Sequence, residues 1–164
     1  MDYYFEVQIN ESNGSSALFI GLGPRDNFGY FYQMNGKKFW FQNKRRRVSD
    51  FGRKMIQGTI GCGWCPKTRT IFFTSNGENL GPAFSNIDLS KPLYPWVGVS
   101  KNVLVQVNFG QYNFAYDFAS WVSMKSSQRK DFIKNSKSRC LNVKKNQEKG
   151  KTDFRSPRQA LVEP

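Results

Sequence analysis

The chain has 164 residues, of which 38% are hydrophobic and 16% aromatic, with a formal net charge of +13. That length suits one domain with its own core plus a tail, and the longest apolar run, residues 17–22, is far too short to cross a membrane as a helix. There is no histidine, so the commonest general base and the commonest metal ligand are both missing, which weighs against an enzyme.

In chain order, the first signal is a strand. Residues 3–10, YYFEVQIN, place apolar side chains at 3, 5, 7 and 9 and polar ones at 6, 8 and 10, the period of a half-buried strand. No basic segment with an apolar run precedes it, so no secretory signal is expected. The sequons at Asn10 and Asn13 therefore carry little weight. Shorter strand-like runs follow at 17–22, 37–42, 59–64, 70–74 and 96–99. Residues 103–109 repeat the opening pattern, with Val103, Val105, Val107 and Phe109 on one face. Asn13-Gly14, Asn35-Gly36, Asn76-Gly77 and prolines at 24, 66, 82, 92 and 95 read as the turns between them. No helical spacing is evident before residue 119. Many short strands with regular turns predict an all-β antiparallel sandwich or barrel.

The charge is unevenly placed. Residues 125–164 hold 12 basic and 4 acidic residues, hence +8, and residues 1–124 hold 13 and 8, hence +5. Four of those 13 are the run Lys44, Arg45, Arg46 and Arg47, read here as a basic loop. Beyond about Trp121 large apolar residues become sparse, and such a segment cannot bury enough surface to offset its ordering entropy. The expected organisation is a β-sandwich over 1–121 and a basic, mostly disordered tail over 122–164, with a weak helical tendency near 127–134.

The stretch GTIGCGWCPKTRTIFFTSNGENLG, residues 58–81, contains Cys62 and Cys65 in C-x-x-C spacing. A redox motif of this kind needs a helix N-terminus to lower the thiol pKa, whereas here Pro66 and then a strand-like TIFF follow. A structural zinc site needs four Cys or His ligands, and the third cysteine, Cys140, lies in the tail. Cys62 is expected to be a small buried hydrophobe on one strand face with Ile60 and Trp64. No metal and no cofactor is expected.

The same stretch carries a resemblance. IGCG followed by TRTIFFTSNGENLGPAF resembles the central signature of SPRY domains, in particular the Ran-binding-protein-M-like group. Other blocks match in order: YYFEVQI at 3–9, FIGLG at 19–23, FGYFYQMNGKKF at 28–39, LYPWVGV at 93–99 and VQVNFGQYNFAYDF at 105–118. The resemblance implies a bent β-sandwich of two antiparallel sheets that binds partner proteins through its loops and does no chemistry. The family's contact loops map onto Phe28, Tyr30, Phe31 and Tyr32 and onto the turn Ser100, Lys101 and Asn102. Family members usually have strands upstream of YYFEV, so an uncovered sheet edge or a truncated form is an expectation. NKRRRVSDFGRKM replaces a usually neutral loop.

Aromatic loop residues supply contact area at low entropic cost, yet alternating strand residues cannot all face out. Tyr30 and Tyr32 are thus candidates either for partner contact or for the core. Trp96 lies on the parity opposite Leu93, Pro95, Val97 and Val99, as an anchor or partly buried. The function these readings favour is a non-catalytic adaptor or scaffold that recognises short peptide segments, in the setting of a ubiquitin-ligase assembly of the CTLH type. The alternative is a nuclear nucleic-acid- or chromatin-associated factor using Lys44–Arg47 and the tail, and a carbohydrate-binding sandwich is a third class. A weak, salt-sensitive affinity for nucleic acid is expected in either case. An intracellular location, cytoplasmic with a nuclear share, and no membrane association complete the expectations. Ser156-Pro157 is a weak phosphorylation signal.

Overall fold

The computed structural model describes residues 2–12, 17–24, 29–42, 45–52, 54–55, 57–100, 103–124, 127–129 and 131. The Asn13-Gly14 turn, Cys140, Ser156 and nearly all of the predicted tail lie outside them.

Ten strands and one short helix are formed: β1 (Tyr3–Ser12), β2 (Leu18–Gly23), β3 (Gly29–Gln33), β4 (Lys37–Gln42), β5 (Arg45–Asp50), β6 (Gly58–Cys65), β7 (Thr70–Ser75), β8 (Glu78–Phe84), β9 (Tyr94–Val99), β10 (Val103–Asn108) and α1 (Phe118–Ser123). They make two five-stranded sheets, β10-β1-β6-β7-β8 (sheet A) and β5-β4-β3-β2-β9 (sheet B). Every pairing is antiparallel. The expected all-β sandwich is what forms.

Alternation along the strands builds the core. Phe5, Val7 and Ile9 of β1, Ile60, Cys62 and Trp64 of β6, and Ile71 and Phe73 of β7 face Leu18, Ile20, Leu22 and Tyr32 of sheet B. Each such side chain contributes about 1.5–3 kcal/mol by leaving water. Asn76 and Gly77 both adopt positive φ, 49° and 79°, the conformation of the type I′ hairpin turn that an Asn-Gly pair favours.

Period-two reading fails on the outer face of sheet A. Tyr4 and Glu6 were expected to be solvent-facing by parity, but both are buried. The chain beyond β10 returns over this face as residues 114–121 and covers the part around Tyr4, Glu6 and Phe72, leaving Gln8 and Gln106 exposed. Glu6 accepts hydrogen bonds from the Tyr4 hydroxyl (2.7 Å) and from the backbone N–H groups of Ala115 (2.9 Å) and Tyr116 (3.0 Å). Around it Tyr4, Phe72, Tyr116 and Trp121 form a second apolar cluster, flanked by Phe114 and Phe118. Gly61 and Gly63 make room for it. A Cβ on Gly61 would stand 2.0 Å from the Tyr4 hydroxyl, and one on Gly63 2.1 Å from the Phe72 ring. In α1 the carboxyl of Asp117 caps the first turn by accepting from the N–H of Ser120 at 3.0 Å.

Three other expectations are corrected. The basic run does not form a loop: Arg45–Arg47 open β5, an edge strand of sheet B, consistent with charged residues being tolerated at sheet edges. Pro82 and Pro95 are not turn residues but lie inside β8 and β9, both edge strands, where a missing N–H costs no ladder bond. And β1 is not an edge, since it sits between β10 and β6.

Packing also continues beyond residue 121. Residues 127–129 and 131 are helical, and the buried Arg129 pairs with Asp2, donates to the Val122 carbonyl and lies 3.7 Å from the Cys65 sulfur.

Replacing Glu6 with alanine strands two backbone donors under an apolar cover and should cost about 3 kcal/mol in urea unfolding. Gln8→Ala, on an exposed position of the same strand, should stay within about 0.5 kcal/mol. Burial pushes the phenols of Tyr4 and Tyr116 above the ordinary value of 10.0. A phenol that keeps its proton longer in the folded chain stabilises the fold fully below the unfolded value and loses that contribution as pH rises towards the folded one. With the buried Cys62 thiol raised in the same way from 9.0, stability measured against pH should begin to fall above about pH 9 and fall more steeply above about pH 10.

Candidate functional site

The cysteines separate at once. Residues three apart in a strand point to opposite faces, and Cys62 lies in the core between the sheets while Cys65 lies beside Arg129 on the other side of β6. Both are buried free thiols, and burial pushes the Cys62 thiol well above its usual range. Among the described residues no group of three or more His, Cys, Asp or Glu side chains could hold a metal ion. Glu6, a deeply buried carboxyl, spends its oxygens on Tyr4, Ala115 and Tyr116 and so holds structure together.

Two apolar hollows lie next to each other, and a third, lined by Gln8, Gln106 and Asn108 among others, lies on the outer face of sheet A. The first is a cavity of about 570 Å³ between the start of β1, the segment before β9 and the end of β10, lined by Tyr3, Phe5, Leu22, Trp64, Leu89, Leu93 and Phe109 among others. Its wall is apolar, and three of its residues stay largely in solvent: Tyr3 (58% exposed), Leu89 (56%) and Phe109 (55%). Phe109 is held by its ring, stacked on Phe5 at 5.5 Å. A concave, mostly apolar site edged by large aromatic side chains suits a partner's apolar side chain.

The second hollow, of about 550 Å³, lies beside it and is lined by Tyr30, Lys38, Trp40, Arg47, Val48, Ser49 and Phe84. Leu22 of the first and Tyr30 of the second are direct cross-strand partners, so the two are neighbours across β2 and β3. Tyr30 is half-buried, its ring 5.1 Å from that of Phe84. Burial, and after it the nearby Asp88, raises its phenol above the ordinary value. Arg47 places its guanidinium 6.0 Å above the Trp40 ring.

Measured against this geometry, the predicted site residues divide. Tyr30 reaches a surface hollow. Tyr32 is fully buried and stacked on Phe73 at 5.4 Å, so its candidacy as a partner contact is corrected to a core role. The cause is parity: Tyr32 stands opposite Ile20, on the core face of β2. Phe31 points the other way, onto the outer face of sheet B with Phe19 and Phe39. Ser100 is exposed and exchanges hydrogen bonds with Ala17, its hydroxyl accepting and its N–H donating at 2.8 Å each. Because β2 and β9 are antiparallel, Ser100 lies where β2 begins, and the segment containing Phe28 follows where β2 ends. Ser100 and the end of β2 that precedes Phe28 are therefore at opposite ends of sheet B. Phe28, Lys101, Asn102 and Lys44 lie outside the described residues, as do the side chains of Arg45 and Arg46. Arg47 is exposed on β5. Trp96, on the outer face opposite Gly21, is 37% exposed.

Sequence reasoning missed the residues of the first cavity. Tyr3 was expected inward by parity, and only the end of the sandwich, where the facing sheet stops, leaves it outside. Leu89 had no periodic signal at all, coming from the irregular segment before β9. Trp40 was legible only as an apolar residue of a strand-like run, and Phe84 only as the last residue of the family-like block.

Comparison with known proteins agrees with this architecture. The SPRY domain family model matches residues 2–112. The human HERC1 SPRY domain superposes with a TM-score of 0.52 at 20% identity, covering 68% of this chain and 77% of that one. A second human SPRY domain gives 0.52 at 26%, covering 68% and 78%. The chain belongs to the SPRY domain family, whose members are generally non-catalytic modules that bind protein partners. Among curated proteins it is 32% identical over 136 residues to Ran-binding protein 10 of Danio rerio, and 31% over 135 residues to Ran-binding protein 9 of Mus musculus. It is 28% identical over 125 residues to Protein ssh4 of Neurospora crassa. These alignments cover 74%, 73% and 70% of this chain but only 21%, 20% and 24% of the relatives.

Cys62 lines the end cavity but is almost wholly buried and its thiol holds its proton, so alkylation by iodoacetamide at neutral pH should be far slower in the folded chain than in the unfolded one. Mass spectrometry of the native and urea-unfolded protein checks this, with rapid native labelling of Cys62 the contrary result.

Proposed function

We propose that this SPRY domain recognises short segments of partner proteins at the end of the sandwich where the apolar cavity opens, with Tyr30 at its side. The observation that carries the reading is the cavity with Tyr3, Leu89 and Phe109 held in solvent around it. A rigid two-sheet scaffold supporting exposed aromatic anchors is the arrangement that concentrates binding energy in a few residues. Phe28, next along the chain from that end of β2, belongs to the same proposed surface. Ser100, Lys101 and Asn102, at the other end of sheet B, would form a separate and secondary contact.

The role we assign is that of an adaptor or scaffold that presents bound segments to an assembly, the ubiquitin-ligase setting resting on the resemblance to Ran-binding-protein-M-like proteins. We also place the protein inside the cell, cytoplasmic with a nuclear share, as the basic run Lys44–Arg47 would allow.

The test is a quantitative pull-down at moderate salt with nuclease present, comparing the parent with a Tyr3→Ala, Leu89→Ala, Tyr30→Ala variant of confirmed fold. We expect a discrete set of proteins to be retained by the parent and lost, by about tenfold or more, in the variant. A Ser100→Ala, Lys101→Ala, Asn102→Ala variant should keep them. Equal retention by all three proteins would remove the cavity from the function. Retention that nuclease or salt abolishes would favour the nucleic-acid alternative.

A further inference from the structure

The basic run is a sheet edge, and that changes what it can bind. β5 pairs with β4 on one side only, and no further strand among the described residues pairs with its other side. In an antiparallel strand alternate residues turn both N–H and C=O away from the existing partner. The first half of β5 is Arg45, Arg46 and Arg47, and its one acidic residue, Asp50, stands at the far end opposite Lys37. Beside the strand lies the hollow floored by Tyr30, Trp40 and Phe84, with Arg47 at its wall.

We propose that the free edge of β5 takes an extended acidic segment of a partner protein as a sixth strand of sheet B. Alternate side chains of that segment would enter the hollow beside Arg47, and its acidic charge would offset the positive run of the strand. Three features select this occupant. In an antiparallel pairing with a second copy of β5, Arg45 would face Asp50 but Arg46 and Arg47 would face only Ser49 and Val48, so two arginines per strand would stay unmatched that an acidic segment would match. A purely apolar segment would leave those arginines unmatched. A nucleic acid offers phosphates but not the alternating donors and acceptors that a strand edge presents, and Asp50 and Asp88 stand close by against it. Backbone pairing gives affinity in this mode and the hollow gives side-chain choice. The edge of β5 shares Tyr30 with the surface proposed above but none of the residues lining the end cavity, so this inference goes beyond that function and is tested with the cavity residues Tyr3 and Leu89 alone.

The experiment is fluorescence anisotropy with the full chain and a labelled Glu-Val-Glu-Phe-Glu-Val-Glu peptide. Two further peptides carry N-methyl groups on one or the other alternate set of amides. We expect the parent peptide to bind, one N-methyl set to abolish binding and the other to leave it within about threefold, as a one-sided strand pairing requires. Arg46→Glu, Arg47→Glu should weaken binding by about tenfold or more, whereas Tyr3→Ala, Leu89→Ala should leave it unchanged. The last comparison separates failure here from failure of the cavity reading. If the arginine variant does not fold, the N-methyl series still decides on the parent protein. Absence of binding, equal effects of the two N-methyl sets, or displacement of the peptide from these arginines by a DNA duplex of about 20 base pairs at lower concentration would each overturn the proposal.

Discussion

The structure turns on one buried carboxyl group. Glu6 lies in the middle of β1, a central strand of sheet A, on the face turned away from the main core. A carboxyl there is costly unless its oxygens are matched, and it is matched by two successive backbone N–H groups of the returning chain and the hydroxyl of Tyr4. The Tyr4 hydroxyl in turn lies 2.7 Å from that of Thr74, and Asn79 donates to the Tyr116 hydroxyl at 3.1 Å. This polar thread ties β1, β7 and β8 to residues 115–116, more than a hundred positions along the chain from Glu6. The aromatic rings then close over it: Phe118 stacks on Tyr4 at 5.0 Å, and Trp121 lies 4.7 Å from Phe72. Burial of these rings supplies the larger share of the energy, while the directed bonds to Glu6 select one position for the strap among many that would bury similar area.

Closing that face has a consequence for the rest of the molecule. Around Tyr4, Glu6 and Phe72 sheet A is covered on both sides, so this part of it serves as scaffold, and the clasp extends to Arg129, which joins Asp2 at the front of β1 to the end of α1. Sheet B has no described segment returning over it, and its outer face carries Phe19, Phe31 and Phe39 packed on one another. The asymmetry leaves recognition to the open end between the sheets and to the margins of sheet B. A rigid scaffold sheet on one side and exposed aromatics at the rim is how a small sandwich holds a binding surface without ordering it anew at each encounter.

Much of this was legible from alternation alone. Phe5, Val7 and Ile9, or Ile60, Cys62 and Trp64, announce a core face because period two leaves them no other side to occupy. The Cys62 and Cys65 pair was set aside on other grounds, the strand-like TIFF after Pro66 and the lack of further ligands. Glu6 was not legible, because its burial is caused by residues 114–121, and a strand pattern describes only one face at a time. Tyr32 shows the complementary limit. An aromatic within a loop-and-strand block reads equally well as contact or core until cross-strand register places it beside Ile20. The arginines of β5 misled by composition: a run of like charges reads as a solvated loop, yet at a sheet edge one side of the strand is already in water, so strand and charge are compatible.

The edges make the final point. Among the described strands, β8 and β9 each contain a proline, at 82 and 95, which removes a donor from the edge outright. β10 carries neither proline nor charge, but the chain leaves it at once through Gly110 (φ 106°), where the Asn108 side chain accepts from the N–H groups of Gly110 and Tyr112 at 2.9 and 3.2 Å. β5 is protected in a different way. Its backbone donors are all present, and the barrier is charge, which depends on what approaches. Proline excludes every strand alike, whereas arginine excludes basic ones and favours acidic ones. An edge guarded by charge is therefore a filter, and its position beside an aromatic hollow at the margin of the uncovered sheet is where a filter has something to admit.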